Sequence, residues 1–202
     1  IKNLTSFISM TKDNKIGLTI FDIDETLFHT EAKVQVLKAG EVVKILDNQK
    51  YNSYQLKEGE TYDYGQFRSA KIFKETSTPI AKVIKRAKRI IHFATRKGSK
   101  VIIVTARQDM DDKKLFKEAF KAQGIDIARV YVERAGNIGK ETASENKVVI
   151  FKRYLDTGRY VRIRLFDDDK NNLNAFLSLE EEYPKVDFTG YQVFKSGNIK
   201  KL

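Results

Sequence analysis

Cysteine is absent from the 202 residues, so disulfides and thiolate metal sites are both excluded. No apolar run approaches the roughly 18–20 residues needed to span a bilayer. The opening stretch IKNLTSFISMTKDNK has no apolar segment of the kind a secretory signal carries. Internal repeats and low-complexity segments are missing too. These absences lead to the expectation of a cytoplasmic protein. Apolar residues make up 41% of the chain and charged residues 32%. That is too apolar for a disordered chain and too polar for a membrane protein. A chain of this length buries a real core and reads most simply as one domain over residues 1–202, with one insertion.

Acid is the scarcer charge: 27 Asp and Glu stand against 38 Lys and Arg, a formal +11. This favours a polyanionic partner such as nucleic acid; the alternative is a lysine-rich surface that serves solubility. The imbalance is steepest from Thr76 to Gln108, which holds nine Lys/Arg and no Asp or Glu. There Ile80, Val83, Ile84, Ala87, Ile90, Ile91 and Ala94 recur at helical spacing, with Lys82, Lys85, Arg86, Lys88 and Arg89 opposite. This predicts an amphipathic helix whose basic face is either solvated or tracks a phosphate-bearing polymer. Ser77-Thr78-Pro79 is its expected start and Gly98 its stop.

Short apolar runs end abruptly in polar residues at three places. Residues 16–21 (IGLTIF) run into Asp22, Asp24, Glu25 and Thr26; residues 101–104 (VIIV) into Thr105-Ala106-Arg107; residues 161–166 (VRIRLF) into Asp167-Asp168-Asp169. Each run reads as a buried strand. A further strand is expected at 130–132 and a last one at 191–194, followed by a basic tail at 195–202. Helices are expected to open at Asp109–Asp112, whose acids suit a helix's positive end, with Leu115, Phe116, Ala119 and Phe120 inward; from a capping box at Thr142 and Glu145; and around Leu173, Phe176 and Leu177. Strands alternating with helices imply an α/β fold with a doubly wound, mostly parallel sheet. Arg162 and Arg164 alternate within their strand, so one of its sides should face solvent or ligand. Residues 30–76 contain a hairpin signal at 33–46 and several tyrosines, and are expected to form a small β-rich flap inserted after the first strand.

Parallel strands place their carboxyl ends on one sheet edge, where ligands bind. Asp22, Asp24, Thr105, Asp167 and Asp168 would converge there. Carboxylates this crowded need a cation, and an all-oxygen ligand set suits Mg²⁺.

The D-x-D-x-T of Asp22, Asp24 and Thr26, then Thr105, a lysine before the last strand, and Asp167-Asp168 resemble the four ordered motifs of the haloacid dehalogenase (HAD) superfamily of phosphatases. Lys147 fits the lysine position, with Lys140 and Lys152 as alternatives. KVVIFKRYLDTGRYVRIRLFDDD is similar to the corresponding stretch in the phosphatase half of phage polynucleotide kinase/3′-phosphatase, and the chain also resembles short HAD proteins of tailed phages. The resemblance implies a Rossmann-like HAD fold and a Mg²⁺-dependent phosphatase working through an aspartyl-phosphate, in host cytoplasm if phage-encoded. It implies Asp22 as nucleophile, Asp24 as general acid and base, and Thr105 and Lys147 as catalytic residues that bind the phosphoryl group. Metal would be held by Asp22, the Asp24 carbonyl, Asp167 and Asp168. From its place two residues past Thr105, Arg107 would grip a second phosphate or a nucleic-acid backbone, or else pair at the surface with Asp109 or Asp111. Glu25 stands where many relatives have Gly, His29 is a candidate for lining the entrance, and Asp169 reads as a helix cap. Nucleic-acid ends or nucleotides are the expected substrates. The alternatives are a phosphoprotein phosphatase, or a nucleic-acid-binding module that keeps the fold without turnover.

Overall fold

The computed structural model describes residues 16–51 and 53–202. The expectation about an N-terminal signal lies outside them. The chain forms β1 (Ile16–Phe21), β2 (Phe28–His29), β3 (Val34–Lys38), β4 (Glu41–Leu46), α1 (Asn48–Tyr51), β5 (Glu60–Asp63), α2 (Gly65–Arg68), α3 (Ala70–Thr76) and β6 (Thr78–Pro79). It continues through α4 (Ala81–Arg96), β7 (Lys100–Thr105), α5 (Lys113–Ala122), β8 (Tyr131–Arg134), α6 (Ala143–Leu155), β9 (Tyr160–Asp167), α7 (Lys170–Leu177), β10 (Asp187–Val193) and β11 (Ile199–Lys201).

Six strands make the central sheet in the order β11-β10-β9-β1-β7-β8. All its pairings are parallel except β10 with β11. The expected doubly wound α/β architecture is therefore present, and β1 lies near its middle, flanked by β7 and β9. Side chains of a strand alternate between faces, and the two faces have separate cores. One buries Phe21, Val101, Ile103 and Phe166 under α4 and α5 residues such as Val83, Ala87, Phe116 and Phe120. The other buries Leu18, Ile20, Ile102, Val104 and Leu165 under Ile150, Phe151, Leu173 and Phe176 of α6 and α7.

The capping box acts as read: Thr142 and Glu145 form it at the start of α6. The acids expected to open α5 instead precede it, since helix begins at Lys113 and Asp112 caps it by accepting from the Leu115 N–H. Gly98 and Gly124, just past α4 and α5, have φ of +73° and +74°, the left-handed region in which glycine carries no steric cost.

Three further expectations are corrected. Thr78-Pro79 does not open α4. It pairs as an extended segment with Phe28–His29, and the Ile80 N–H donates to the Leu27 carbonyl, so helix begins only at Ala81 and without a side-chain cap. The flap is β-rich only in part: β4-β3-β5 form a three-stranded antiparallel sheet over Val34, Val36 and Leu46, but residues 65–68 and 70–76 are helical. Ala70 and Phe73 of α3 belong to the main core. Finally, the basic tail contributes β11, which turns back antiparallel on β10.

Candidate active site

Strand register builds the site. Phe21 of β1 lies beside Phe166 of β9 and Ile103 of β7, so the residues that follow, Asp22, Asp167 and Thr105, leave adjacent strands on the same edge. Neighbouring strands are about 4.8 Å apart. The Asp22 N–H donates to the Phe166 carbonyl at 3.0 Å, extending the ladder to the first aspartate. Oxygen atoms of Asp22, Asp167 and Asp168 all lie within 4.8 Å of one another. Asp22 and Asp167 are buried and Asp168 is partly so.

Lys147 enters this cluster from the first half of α6. Its ammonium donates to Asp22 Oδ1 at 2.8 Å and to Asp167 Oδ2 at 2.7 Å, and its side chain is 1% exposed. The other two lysines weighed from sequence lie elsewhere: Lys140 is exposed, and Lys152 pairs with Glu182 at the surface.

One ammonium cannot satisfy three carboxylates. Burial raises the Asp22 carboxyl to about 7, against the opposing pull of Lys147, with Asp167 and Asp24 pushing the same way as burial. Burial, followed by the Asp22 and Asp167 charges, raises Asp168 to about 8. For Lys147 burial alone favours the neutral amine, but Asp167 and Asp22 more than offset it and hold the ammonium charged. Three acids against one ammonium leave a formal charge of −2. All the donors are oxygens and the deficit matches one divalent ion, so the residues fit a hard cation. Asn172 adds a further mark: its amide N–H groups donate to Asp167, while its Oδ1 is buried without a partner.

Thr105 is 1% exposed, and its hydroxyl accepts the Arg107 backbone N–H at 3.1 Å, which fixes the turn after β7. Thr26 is fully buried and donates to Asp168 at 3.5 Å. Asp169 caps α7 by accepting from Asn171 N–H, as expected.

Asp24 does not point into the carboxylate cluster. Both its oxygens accept from Arg107, Nε at 2.9 Å and Nη2 at 2.6 Å. Arg107 also donates to the Phe67 carbonyl and to Thr30 Oγ1, and lies over the Phe67 and Phe73 rings at 4.8 and 5.0 Å. The surface pair with Asp109 or Asp111 does not form: Asp109 pairs with Arg134, and Asp111 accepts from the Ala70 N–H. Arg107 thus ties the first aspartate loop to the segment after the flap sheet. Glu25 has φ +57°, which explains why glycine suits this position. Its carboxylate closes the turn on the Thr30 N–H and on His29 Nδ1 at 2.9 Å.

The family model described as HAD superfamily, subfamily IIIB (acid phosphatase) matches residues 44–198, more than three quarters of the chain. The chain belongs to this family. The HAD-phosphatase match begins beyond Asp22 and Asp24 and includes Thr105, Lys147, Asp167 and Asp168. No curated protein matches the chain. Membership makes this HAD protein a phosphatase, so a binding module without turnover is set aside. It acts on a phosphorylated substrate, and its family generally uses a divalent metal, which the acidic cluster could hold. Among the described residues no helix is long and apolar enough to cross a membrane.

Sequence reasoning missed two participants. Asn172 lies five residues beyond Asp167 in the first turn of α7, and that helical proximity was a usable signal. The Arg107–Asp24 pair, 83 residues apart, had none.

Proposed function

We propose that the protein is a Mg²⁺-dependent phosphomonoesterase that works through an aspartyl-phosphate on Asp22. The observation that carries this reading is the cluster of Asp22, Asp167 and the partly buried Asp168, with the Lys147 ammonium paired to the first two. Asp22, Asp167, Asp168 and the Asp24 carbonyl would hold the ion, which when bound neutralises phosphoryl oxygens so that an anion can approach them.

Asp22 attacks phosphorus, and its new P–O bond forms as the ester P–O bond breaks. Asp24 must enter this step as the carboxylic acid, carrying a proton taken from solvent, and it gives that proton to the departing oxygen. It then takes one from the water that attacks phosphorus, and phosphate leaves as Asp22 is regenerated. Thr105 and Lys147 bind the phosphoryl group and balance its charge. Arg107 acts as a positioning residue: Asp24 reaches the substrate only with an oxygen that Arg107 also holds, so the guanidinium sets where the proton is delivered. The basic surplus supports nucleotides or nucleic-acid ends as substrates.

The test is phosphate release from an aryl phosphate, nucleotides, 3′- and 5′-phosphorylated oligonucleotides and phosphopeptides, with Mg²⁺ or EDTA. Hydrolysis should need Mg²⁺ and fall more than about 10⁴-fold in Asp22→Asn. Acid-quenched parent protein should carry a phosphoryl group on Asp22. Hydrolysis that survives EDTA or Asp22→Asn would refute the mechanism, and a preference for phosphopeptides would refute the substrate class.

A further inference from the structure

A large cavity among the described residues lies away from the carboxylates. A groove of about 830 Å³ runs between α4 and the exposed part of the sheet, walled by Lys82, Lys85, Arg86 and Arg89 and floored by Arg162 and Arg164. Lys97 stands at its far end, and Asp187 is its only acidic lining residue. Its floor is the α4-facing side of β1, β9 and β10. Toward the carboxyl ends this side is apolar, with Phe21, Phe166 and Val193 packed into the core. Toward the amino ends it becomes Gly17 and Thr19 on β1, Arg162 and Arg164 on β9, and Asp187 and Thr189 on β10. The alternating arginines of β9 therefore occupy the open part of an otherwise buried sheet.

None of these seven cations forms an ion pair with a carboxylate of the described residues. Lys82 donates to the Asn198 amide oxygen, and Arg164 to the neutral hydroxyls of Thr19 and Tyr191. Arg164 is half-buried, and burial pushes its guanidinium down from the ordinary value. A cation placed so awaits an anion. Aromatic faces interleave with the charges. Phe93 is 50% exposed with Arg89 over its ring at 5.9 Å, and Arg86 lies 5.4 Å from both Tyr191 and Phe166, which stack on each other.

We propose that this groove binds single-stranded nucleic acid, its phosphodiester backbone along α4 and its bases toward Phe93 and Tyr191. Charge along a trough with aromatic platforms is the arrangement by which proteins hold single strands without reading sequence. The arginines on the floor decide for a single strand over a duplex: a flexible chain can enter the trough, whereas a duplex rests on the rim lysines. Lys82 to Lys97 spans about 22 Å of helix at 1.5 Å per residue, enough to track a segment rather than one phosphate. None of Asp22, Asp167, Asp168 and Lys147 lines the groove, and Thr19 on its floor precedes Asp22 by about 10 Å of strand. The proposal therefore does not depend on the phosphatase mechanism.

The test is fluorescence anisotropy of an unphosphorylated, labelled oligothymidylate with the full chain in EDTA, from about 50 to 300 mM salt. Binding should weaken linearly on a log–log salt plot. Arg89→Glu/Arg162→Glu should weaken it at least about 10-fold and lower the slope by about 1.4, two contacts at about 0.7 each. Lys114→Glu/Lys121→Glu on α5 makes the same charge change elsewhere and should cost less than about 3-fold. Phe93→Ala should weaken binding about 5-fold or more at unchanged slope. Far-ultraviolet circular dichroism and aryl phosphatase activity verify that each variant is folded. No binding by the parent, equal losses in the two double variants, equal affinity for duplex, or equal competition by polyglutamate would each overturn the proposal.

Discussion

Replacing Lys147 by Met asks how much of this fold rests on one ammonium. Met is of similar length and carries no charge, so the perturbation is chiefly electrostatic. The side chains of Lys147, Asp22 and Asp167 are 1%, 6% and 0% exposed, and the two ion pairs are 2.8 and 2.7 Å long. Taking away one partner of a buried pair costs about 3–5 kcal/mol, because the other partner keeps its desolvation penalty. For a domain of this size each kcal/mol moves Tm by about 2–4 °C. The expected fall is thus about 6–20 °C in EDTA at pH 8. At pH 5 it should shrink, because the Asp22 carboxyl, already raised to about 7, can take a proton instead. A saturating divalent ion should recover part of it. Differential scanning calorimetry of parent and variant under these conditions is the assay. Lys140→Met and Lys152→Met serve as references, and each should stay within about 1 kcal/mol, since one lysine is exposed and the other makes only a surface pair. A Lys147→Met protein melting within about 2 °C of the parent in EDTA at pH 8 would refute the reasoning. It would mean that the carboxylates are hydrated or already protonated.

Other consequences can be checked separately. Asp22 and Asp168 have pKa values raised from 3.8 to about 7 and 8, so their contribution to stability is full below about pH 4 and lost as pH rises through 7 to 8. Metal-free protein should lose Tm between pH 5 and 9, a saturating divalent ion should flatten that slope, and calorimetric titration near pH 7 should detect proton release on metal binding. Arg107→Lys should not substitute for the bidentate guanidinium: a drop in kcat and an altered pH–rate profile are expected, and a parent-like profile would remove Arg107 from the role of orienting Asp24. A methyl group on Gly136 would lie 2.5 Å from the Ala106 carbonyl oxygen, so Gly136→Ala should destabilise by about 1–3 kcal/mol in chemical denaturation. Gly17→Ala, where the nearest contact is 3.5 Å, should be nearly neutral.

The parts of the molecule that could be read from sequence are those governed by short-range rules. β1, β7 and β9 are apolar runs that end in oxygen-bearing side chains, and once strands are parallel their ends must share an edge. The Thr142–Glu145 box and the glycines after α4 and α5 are likewise local. The failures come where tertiary pairing overrides a local signal. Thr78-Pro79 has the composition of a helix start, yet Phe28–His29 holds it extended. Residues 65–76 look irregular because their helices are short and gain stability by burying Ala70 and Phe73. Arg107 stands beside Asp109 in sequence but reaches Asp24, a choice made by the fold and invisible to spacing. The arginines of β9, puzzling in a central strand, make sense once α4 is seen to leave that part of the sheet uncovered.

The lysine that bridges Asp22 and Asp167 also bears on the protein's life before any ion arrives. A pocket lined only with like charge would have to wait for metal to finish folding, and stripping the metal would undo it. With an internal counterion tethered in place, the polypeptide can complete itself in a chelating environment, and an ion held by the cluster would come and go without undoing the fold. Under the proposed metal-dependent reaction, activity and structural integrity are thereby uncoupled: metal starvation would silence the enzyme while leaving it intact and ready to resume.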